Sequence, residues 1–374
     1  MLFRSDGETV ATAYDGGSGT EADPFLISNG AQLAKLVSSD YGLGKYYKLT
    51  DDIYLNDVTN DTWYDMNPNS WAAYGLGENY NFKGTLDGDG HVIYGIYIIN
   101  NDPKINACGG IFGSCRYGAT IKNLGISKSY IQNNGSNNQY AGAGAFVGAC
   151  LSDTLTLSNC FVDNTVTIKA HNASGYVGYA ANNSTTNVII ENSYSGAQFN
   201  MLFNYTAKPN SFVAGGVSGG NVTIRNSYST SDCGFSVANN ASNRTITIEN
   251  CYAINAEVSG KEGIPTTGVT ALTKDEMLGN AMTNLGFGST EDTPAAWRAV
   301  ANSLPMPAVF AVPCDVDGNE TIDICDLVKV KKYVADNTYK LNYFAADLDR
   351  TRAIDNDDLA NVRKVLFGET LNFQ

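Results

Sequence analysis

Alternating apolar and polar residues recur in short runs through the first 260 residues of the chain. In Thr165–Lys169 and Thr245–Glu249 every second residue is Val or Ile, and the residues between them are polar. This two-residue period is typical of a strand with one buried face, whereas a helix repeats every 3.6 residues. The chain is therefore predicted to be mainly β.

The N-terminal region predicts a different arrangement of elements. Residues 19–28 indicate a strand, 28–38 indicate a short helix, and 46–55 indicate a second strand. Segment 82–95 is expected to lead into the regular strands that follow. We expect this region to cover the first of those strands.

A fixed string of strand, Asn, small residue and, in most copies, aromatic residue ends several alternating runs. Its asparagines are Asn123, Asn159, Asn192, Asn226 and Asn250, at intervals of 36, 33, 34 and 24 residues. A second, Gly-rich string precedes most copies, at 110–113, 144–148, 175–178, 215–219 and 234–237. A motif that returns every 20 to 50 residues predicts stacked structural repeats. Short strands with Gly-rich corners at this period predict a parallel β-helix, or β-solenoid.

Stacked repeats would place like residues in columns about 4.8 Å apart. The asparagines are then expected to form a hydrogen-bonded ladder at a left-handed corner. Cys115 and Cys150 each lie two residues after a glycine of the second string. They are expected on neighbouring repeats within disulfide reach, whether or not they are oxidised. The rings of Phe146 and Tyr176 are expected inside the repeats.

The C-terminal region contains a duplication with an offset of 32 residues, in which Asp315–Leu327 matches Asp347–Leu359. Oxygen donors fall at loop positions 1, 3, 5, 9 and 12, and position 7 adds a backbone carbonyl. The candidate metal ligands are Asp315, Asp317, Asn319, Thr321, Asp323 and Asp326 in the first loop and Asp347, Asp349, Thr351, Ala353, Asp355 and Asp358 in the second. This spacing lets one short loop wrap a hard divalent cation such as Ca²⁺.

A helix is predicted after each loop, because apolar residues follow with the spacing of one buried stripe. The two stripes are Leu327, Val330 and Val334, and then Leu359, Val362 and Leu366. Proline residues at 305, 307 and 313 argue against a helix before the first loop.

Tandem loops that end in Asp326 and Asp358, each followed by a basic helix, resemble a type I dockerin over residues 314–369. The resemblance implies two bound calcium ions and docking to a cohesin module of a scaffoldin or cell-surface anchor. The implied cohesin-binding residues are Ile324, Cys325, Lys331, Lys332, Asn356, Asp357, Arg363 and Lys364. Arg350 and Arg352 lie in the second loop, so its calcium site is expected to be the weaker one.

The Gly-rich strings and Trp71 resemble the GLUG-type β-helical domains of bacterial surface and secreted proteins over residues 18–310. Together the resemblances predict a β-helix over 1–300, with an N-terminal cap at 18–100 and a C-terminal cap at 265–300. A Pro-containing linker at 301–313 and the dockerin at 314–369 follow. The predicted fold class is thus a mainly β protein, a parallel β-helix followed by a small α-helical calcium-binding dockerin.

Composition narrows the range of partners. The net charge of −14 argues against nucleic acid, whose phosphates would be repelled, and no apolar run is long enough to span a membrane. No signal peptide is recognised at the N-terminus, yet a dockerin implies a protein outside the cell. We expect a mature or truncated secreted bacterial protein, associated with a scaffold or cell surface.

Two functions remain open for the β structure. The aromatic segment 56–81 offers Trp63, Tyr64, Tyr74 and Tyr80 as candidate glycan-binding residues, although the same rings are expected to cover the first repeats instead. The alternative is a polysaccharide lyase or glycoside hydrolase, for which Asp51, Asp52, Asp87, Asp89 and His91 are the candidate acid–base groups. No paired catalytic carboxylates are recognised, which favours a non-catalytic module.

Overall fold

The computed structural model describes most of the chain. The described residues are 9–71, 81–101, 108–134, 142–170, 172–180, 185–199, 210–213, 220–231, 233, 235, 245–254, 267–277, 296–300, 303–310, 314–317, 322–336, 339, 341, 343–346, 348 and 354–369.

Strands dominate the described residues, which confirms the prediction of a mainly β chain. The strands are β1 Phe25–Ile27, β2 Lys45–Leu49, β3 Ile53–Tyr54, β4 Asn81–Tyr94, β5 Tyr97–Asn100, β6 Phe112–Ser127, β7 Tyr130–Asn133, β8 Gly142–Gly144, β9 Val147–Cys150, β10 Thr154–Ser158, β11 Phe161–Val162, β12 Thr167–Ala170, β13 Asn172–Ser174, β14 Asn187–Glu191, β15 Tyr194–Ser195, β16 Gln198–Phe199, β17 Asn221–Arg225, β18 Tyr228–Ser229, β19 Thr245–Glu249, β20 Cys251–Ile254, β21 Val269–Leu272, β22 Trp297–Val300 and β23 Ser303–Pro307.

Helices are short and few among the described residues. The α-helices are α1 Gly30–Lys35, α2 Lys274–Met277, α3 Ile324–Ala335, α4 Tyr343–Ala346 and α5 Asn356–Leu366; a π-helical turn, Leu36–Asp40, continues α1, and Trp63–Asp65 forms a 3-10 turn. The predicted N-terminal order of strand, helix and strand is confirmed by β1, α1 and β2. Asn29 caps α1 by accepting a hydrogen bond from the Gln32 backbone, and Leu33 lies fully buried on the inner face.

The strands pair in parallel within three sheets, the largest of 15 strands and a second ordered β16-β12-β7-β5. Strands β19, β17, β14 and β10 stack in that order onto the middle part of β6, at Ala119–Lys122, and β20, β18, β15 and β11 stack onto its last part, at Gly125 and Ile126. The long strand β6 therefore belongs to two stacks that meet at a corner. Strands β22 and β23 form a separate antiparallel sheet of two strands.

Like residues form inward columns across the parallel strands. One column runs through Leu86, Ile121, Leu157, Ile190, Ile224 and Ile248. A second column is aromatic, and its members Phe146, Tyr176, Phe212 and Phe235 have ring centroids 4.9, 5.1 and 5.1 Å apart. All four rings are buried, as expected for Phe146 and Tyr176. These columns belong to one continuous cluster of buried apolar residues, which is the core of the first unit.

The corner between the two stacks is formed by the repeated asparagines. All five have positive φ, between 48° and 55°, a conformation that Asn tolerates better than other non-Gly residues. Their amides hydrogen-bond along the stack, from Asn159 Nδ2 to Asn123 Oδ1 at 3.0 Å and from Asn250 Nδ2 to Asn226 Oδ1 at 2.9 Å. Asn123 in turn donates to Asp87 Oδ1 at 2.9 Å. The predicted ladder is confirmed, with Asp87 as an additional acceptor.

The predicted alignment of Cys115 and Cys150 is also confirmed. The two residues are register partners on β6 and β9, and both are free, buried thiols. Burial raises the pKa of each thiol, which keeps both protonated at neutral pH.

Two compact units divide the chain, Met1–Leu272 and Thr273–Gln374. Among the described elements, the first unit holds the parallel sheets and the second holds β22, β23 and helices α2 to α5. The second unit has its own core, in which Val330 and Val362 are fully buried. The linker predicted at 301–313 falls within this second unit, and the domain limits drawn from the sequence stay predictions.

Replacing Tyr176 by Ala is expected to destabilise the first unit by about 3–5 kcal/mol, because it leaves a cavity between two buried rings. Tyr176→Phe is expected to cost less, since it removes only the hydroxyl that lies 2.8 Å from the carbonyl oxygens of Cys160 and Tyr194. The measurement is equilibrium urea unfolding of the full chain. Tyr117→Ala serves as control, because that ring is 63% exposed. A loss below about 1 kcal/mol for Tyr176→Ala would contradict the inner aromatic column.

Candidate functional site

Each of the two C-terminal helices begins with the same capping arrangement. Asp323 caps α3 by accepting from the Cys325 N–H at 2.6 Å, and Asp326 Oδ2 accepts from the Asp323 N–H at 2.8 Å. Asp355 and Asp358 repeat this reciprocal capping box at the start of α5. A capping box satisfies backbone donors that the first helical turn leaves without partners. The predicted helices after both loops are confirmed, and their starts match the loop register.

The two position-12 aspartates also hold the beginning of their loops. Asp326 Oδ1 accepts from the Val316 N–H at 2.9 Å, and Asp358 Oδ1 accepts from the Leu348 N–H at 2.7 Å. Both carboxylates are fully buried. One side chain therefore connects the first turn of each helix to the start of the loop ten residues earlier. The duplication seen in the sequence is a duplication of these contacts.

Three carboxylates of the first loop converge. The ligand oxygens of Asp315, Asp317 and Asp326 all lie within 4.8 Å of one another, which among the described residues identifies them as a candidate metal centre. Burial raises the pKa of Asp326, and the neighbouring Asp317 carboxylate raises it further, whereas backbone N–H donors lower it. Closely spaced carboxylate oxygens fit a hard divalent cation such as Ca²⁺, which would neutralise their mutual repulsion.

The remaining predicted ligands divide into two groups. In the first loop Asp323 acts as the helix cap, and in the second loop Asp355 does the same. Asn319, Thr321, Asp347, Asp349, Thr351 and Ala353 lie outside the described residues. The calcium site of the second loop stays a sequence prediction.

The residues that the resemblance assigns to cohesin binding lie on the outer sides of α3 and α5. All of them are exposed: Ile324, Cys325, Lys331, Lys332, Asn356, Asp357, Arg363 and Lys364. The opposite sides carry the predicted apolar stripes, which pack together in the core of the second unit. Two exposed apolar residues were not singled out from the sequence, Val328 at 42% and Phe367 at 74% exposure. The helical period could have placed Val328 on the outer face of α3, whereas Phe367 directly follows the last residue of α5.

The candidate glycan-binding aromatics take different positions. Trp63 is buried, with its ring edge-on to Tyr64 and Tyr97 at 6.1 Å, which fits the alternative that it packs against the strands. Tyr64 is half-buried and stacks on Tyr130 at a centroid distance of 5.0 Å. Trp71 is buried and donates from Nε1 to the Ile111 carbonyl at 3.2 Å. Tyr74 and Tyr80 lie outside the described residues.

The outer face of the β5–β7–β12 sheet adds residues that sequence reasoning missed. Tyr97 and Tyr130 are register partners, and Tyr130 Oη donates to Gln132 Oε1 at 3.1 Å. Lys169 Nζ donates to Tyr130 Oη at 2.6 Å. Together with Tyr64 these half-buried side chains form a surface of rings, an amide and an ammonium, called the tyrosine surface below. The sequence indicates this surface only through the repeat of Tyr97 as Tyr130, 33 residues later at the same strand position.

The candidate acid–base groups lie where the first repeats turn, and most are already paired. Asp52 Oδ1 lies 3.3 Å from His91 Nδ1 and accepts from the Val92 N–H at 2.9 Å. Lys48 pairs with Asp89 at 2.8 Å, and Lys122 Nζ pairs with an oxygen of Asp87 at 3.0 Å. Asp87 and Lys122 are register partners on β4 and β6, and each cited carboxylate has a structural partner.

Asp87 is a poor candidate for a general acid. Burial alone would raise its pKa, but hydrogen bonds from the Asn123 side chain and the Asp89 N–H, together with Lys122, hold the pKa below its ordinary value. The group is therefore ionised at neutral pH. A general acid needs the opposite shift.

Comparison with known proteins does not show a family. No protein-family model matches the chain. It is 30% identical over 149 residues to a candidate Gly-rich membrane protein of Evansella cellulosilytica, and 27% identical over 153 residues to halomucin of Haloquadratum walsbyi. These alignments span 40% and 41% of this chain but 15% and 2% of the relatives.

A solved structure is similar to much of the chain. It is that of a candidate immunoglobulin A1 protease from Bacteroides ovatus, with a TM-score of 0.46 and 18% identity, over 80% of this chain and 96% of that one. Similarity of this extent supports no conclusion about fold or function. No helix among the described residues has both the length and the apolar character needed to cross a membrane.

Asp326→Ala is expected to destabilise the second unit by about 1–3 kcal/mol even in EDTA, because it leaves backbone N–H groups of both loop and helix without their acceptor. Asp358→Ala is expected to have a similar effect, and Asp326→Asn a smaller one because it retains an acceptor oxygen. Thermal unfolding of the full chain measures the loss, and the exposed Glu369→Ala provides the control. Equal melting curves for Asp326→Ala and Glu369→Ala would show that the carboxylate contributes no contact without metal.

Proposed function

We propose that this chain is a secreted bacterial protein that attaches to a scaffold by calcium-dependent docking. Residues 314–369 act as a type I dockerin that binds a cohesin module of a scaffoldin or cell-surface anchor, and residues 1–300 are the displayed part. The observation that carries the proposal is the duplicated contact set of Asp326 and Asp358, together with the carboxylate cluster of the first loop. Such a set fits one loop that closes around a divalent ion and positions the helix after it.

Calcium would be held in the first loop by Asp315, Asp317 and Asp326 among the described residues. The ion would neutralise the buried carboxylates and thereby stabilise the loop and the start of α3. The exposed sides of α3 and α5 would then present Lys331, Lys332 and the corresponding basic pair to an acidic cohesin surface. Complementary charge of this kind favours association and orients the partner.

The displayed part is proposed to be a parallel β-helix. The parallel registers, the asparagine ladder and the inner aromatic column support this architecture, since each requires the same position to recur on successive repeats. Its proposed role is to bind carbohydrate or another surface ligand. The tyrosine surface favours a carbohydrate, because aromatic rings stack on sugar rings while Gln132 and Lys169 offer polar groups to hydroxyls.

A catalytic role is the alternative. The contact between Asp52 and His91 favours it, since a carboxylate that orients an imidazole is a common arrangement for a general base. Against it, Asp89 and Asp87 are engaged by Lys48 and Lys122. A polysaccharide lyase or glycoside hydrolase therefore ranks second to a non-catalytic binding module.

Calcium is expected to raise the melting temperature of the second unit and to be required for capture of the full chain by immobilised type I cohesins. At a free calcium concentration 100 times the Kd, the stabilisation would be about 2.7 kcal/mol. Asp315→Ala and Asp326→Ala are expected to weaken both effects more than Thr351→Ala in the second loop does. Differential scanning calorimetry and pull-down with calcium or EDTA are the measurements.

The double variant Lys331→Glu/Lys332→Glu is the matched control for that experiment. It should bind calcium as the original chain does but lose capture at low salt, because the reversed charges face the cohesin rather than the ion. Capture by a cohesin in EDTA, or unchanged melting with calcium, would contradict the dockerin assignment.

Binding of the full chain to pectin, xylan or β-glucan is expected to weaken about two- to tenfold for Tyr64→Ala and Tyr130→Ala, the range for loss of an aromatic contact. Affinity electrophoresis in gels containing each polysaccharide is the measurement, and exposed Tyr117→Ala is the control. Release of reducing ends or unsaturated uronides that is lost in Asp52→Ala or His91→Ala would instead establish the catalytic alternative.

A further inference from the structure

Lys329 lies beside the carboxylate cluster of the first loop. Its Nζ is 3.9 Å from Asp317 Oδ2, and the two side chains are 41% and 12% exposed. Asp317 belongs to the convergent set, whereas Lys329 lies on α3 one turn after Asp326. The ammonium is therefore the more exposed member of the pair.

We propose that Lys329 is an internal counter-cation that lowers the affinity of the first loop for divalent ions. The inference rests on the calcium site proposed above. Without metal, the ammonium offsets part of the repulsion among Asp315, Asp317 and Asp326. With metal bound, the same positive charge repels the ion across a few ångströms, so calcium must act against it.

The second loop provides an internal comparison. The residue 32 positions after Lys329 is Asn361, which is neutral and accepts a hydrogen bond from Lys364 Nζ at 3.4 Å. The second loop thus lacks a cation at this helix position, although the sequence places Arg350 and Arg352 within the loop itself. Each loop therefore has its own positive charge close to the proposed ion. The difference in calcium affinity between the two loops is then smaller than the two arginines alone would predict.

The size of the effect follows from the exposure of the pair. The Lys329 side chain is 41% exposed, and an ion pair that solvent screens in this way contributes up to about 1 kcal/mol, which corresponds to about a two- to fivefold change in calcium affinity. The interaction is electrostatic, so it should decrease as the ionic strength rises and the Debye length falls. A contact that served only to anchor α3 would show neither dependence.

The experiment is calcium titration of the full chain by isothermal titration calorimetry at low ionic strength, fitted with two sites. Lys329→Gln should bind calcium about two- to fivefold more tightly at the first site, and the gain should shrink in high salt. Lys329→Arg keeps the charge and should bind as the original chain does. Lys331→Gln removes the same charge from the exposed side of the same helix and controls for net charge. Asn361→Lys should weaken the second site.

A metal-free measurement completes the test. In EDTA the Lys329→Gln variant should melt at a lower temperature than the Lys331→Gln variant, because the carboxylates lose their counter-charge. Equal calcium affinities for these two variants would overturn the inference while leaving the calcium site in place. If the original chain bound no calcium, the calcium site itself would be rejected, and the inference with it.

Discussion

Constant register between parallel strands is the constraint on which the first unit depends. Once Ile224 pairs with Ile248 and Asn226 with Asn250, every side chain between them has a fixed neighbour above and below. Apolar residues then form the core, and corner amides satisfy one another where the chain turns. A single shift in register would place the apolar side chains outside and separate the corner amides. The repeated Asn is therefore a structural requirement of the corner.

The stability of the second unit depends instead on how the negative charge in its small core is compensated. Asp315 and Asp326 are buried close together, a costly arrangement unless hydrogen bonds or cations compensate. Backbone N–H groups supply part of this compensation, and Lys329 supplies another part. The negative charge that these groups leave uncompensated is the electrostatic driving force for binding a divalent ion. Two small apolar stripes complete the unit, so charge has unusual influence over its stability.

Much of this arrangement could be predicted because repetition in sequence becomes repetition in space. The corner asparagines, the neighbouring cysteines and the existence of the two C-terminal helices all followed from counting. The burial of Trp63 did not, because an aromatic residue in an insertion suits packing and ligand binding equally. Lys329 was missed since its contact depends on which way a flexible side chain extends from α3. The tyrosine surface required knowledge of which strands are neighbours.

The corner ladder also determines where residues can be inserted into or deleted from such a chain. Asn192 and Asn226 are 34 residues apart and Asn226 and Asn250 only 24, yet β14, β17 and β19 remain in unbroken register. The register of the sheet therefore does not depend on the number of residues between successive corners. The segments between corners can be lengthened, shortened or exchanged without changing the residues of the core. Such a scaffold can acquire new surfaces by insertion while its interior stays conserved in form, and foreign peptides could be grafted at the same places.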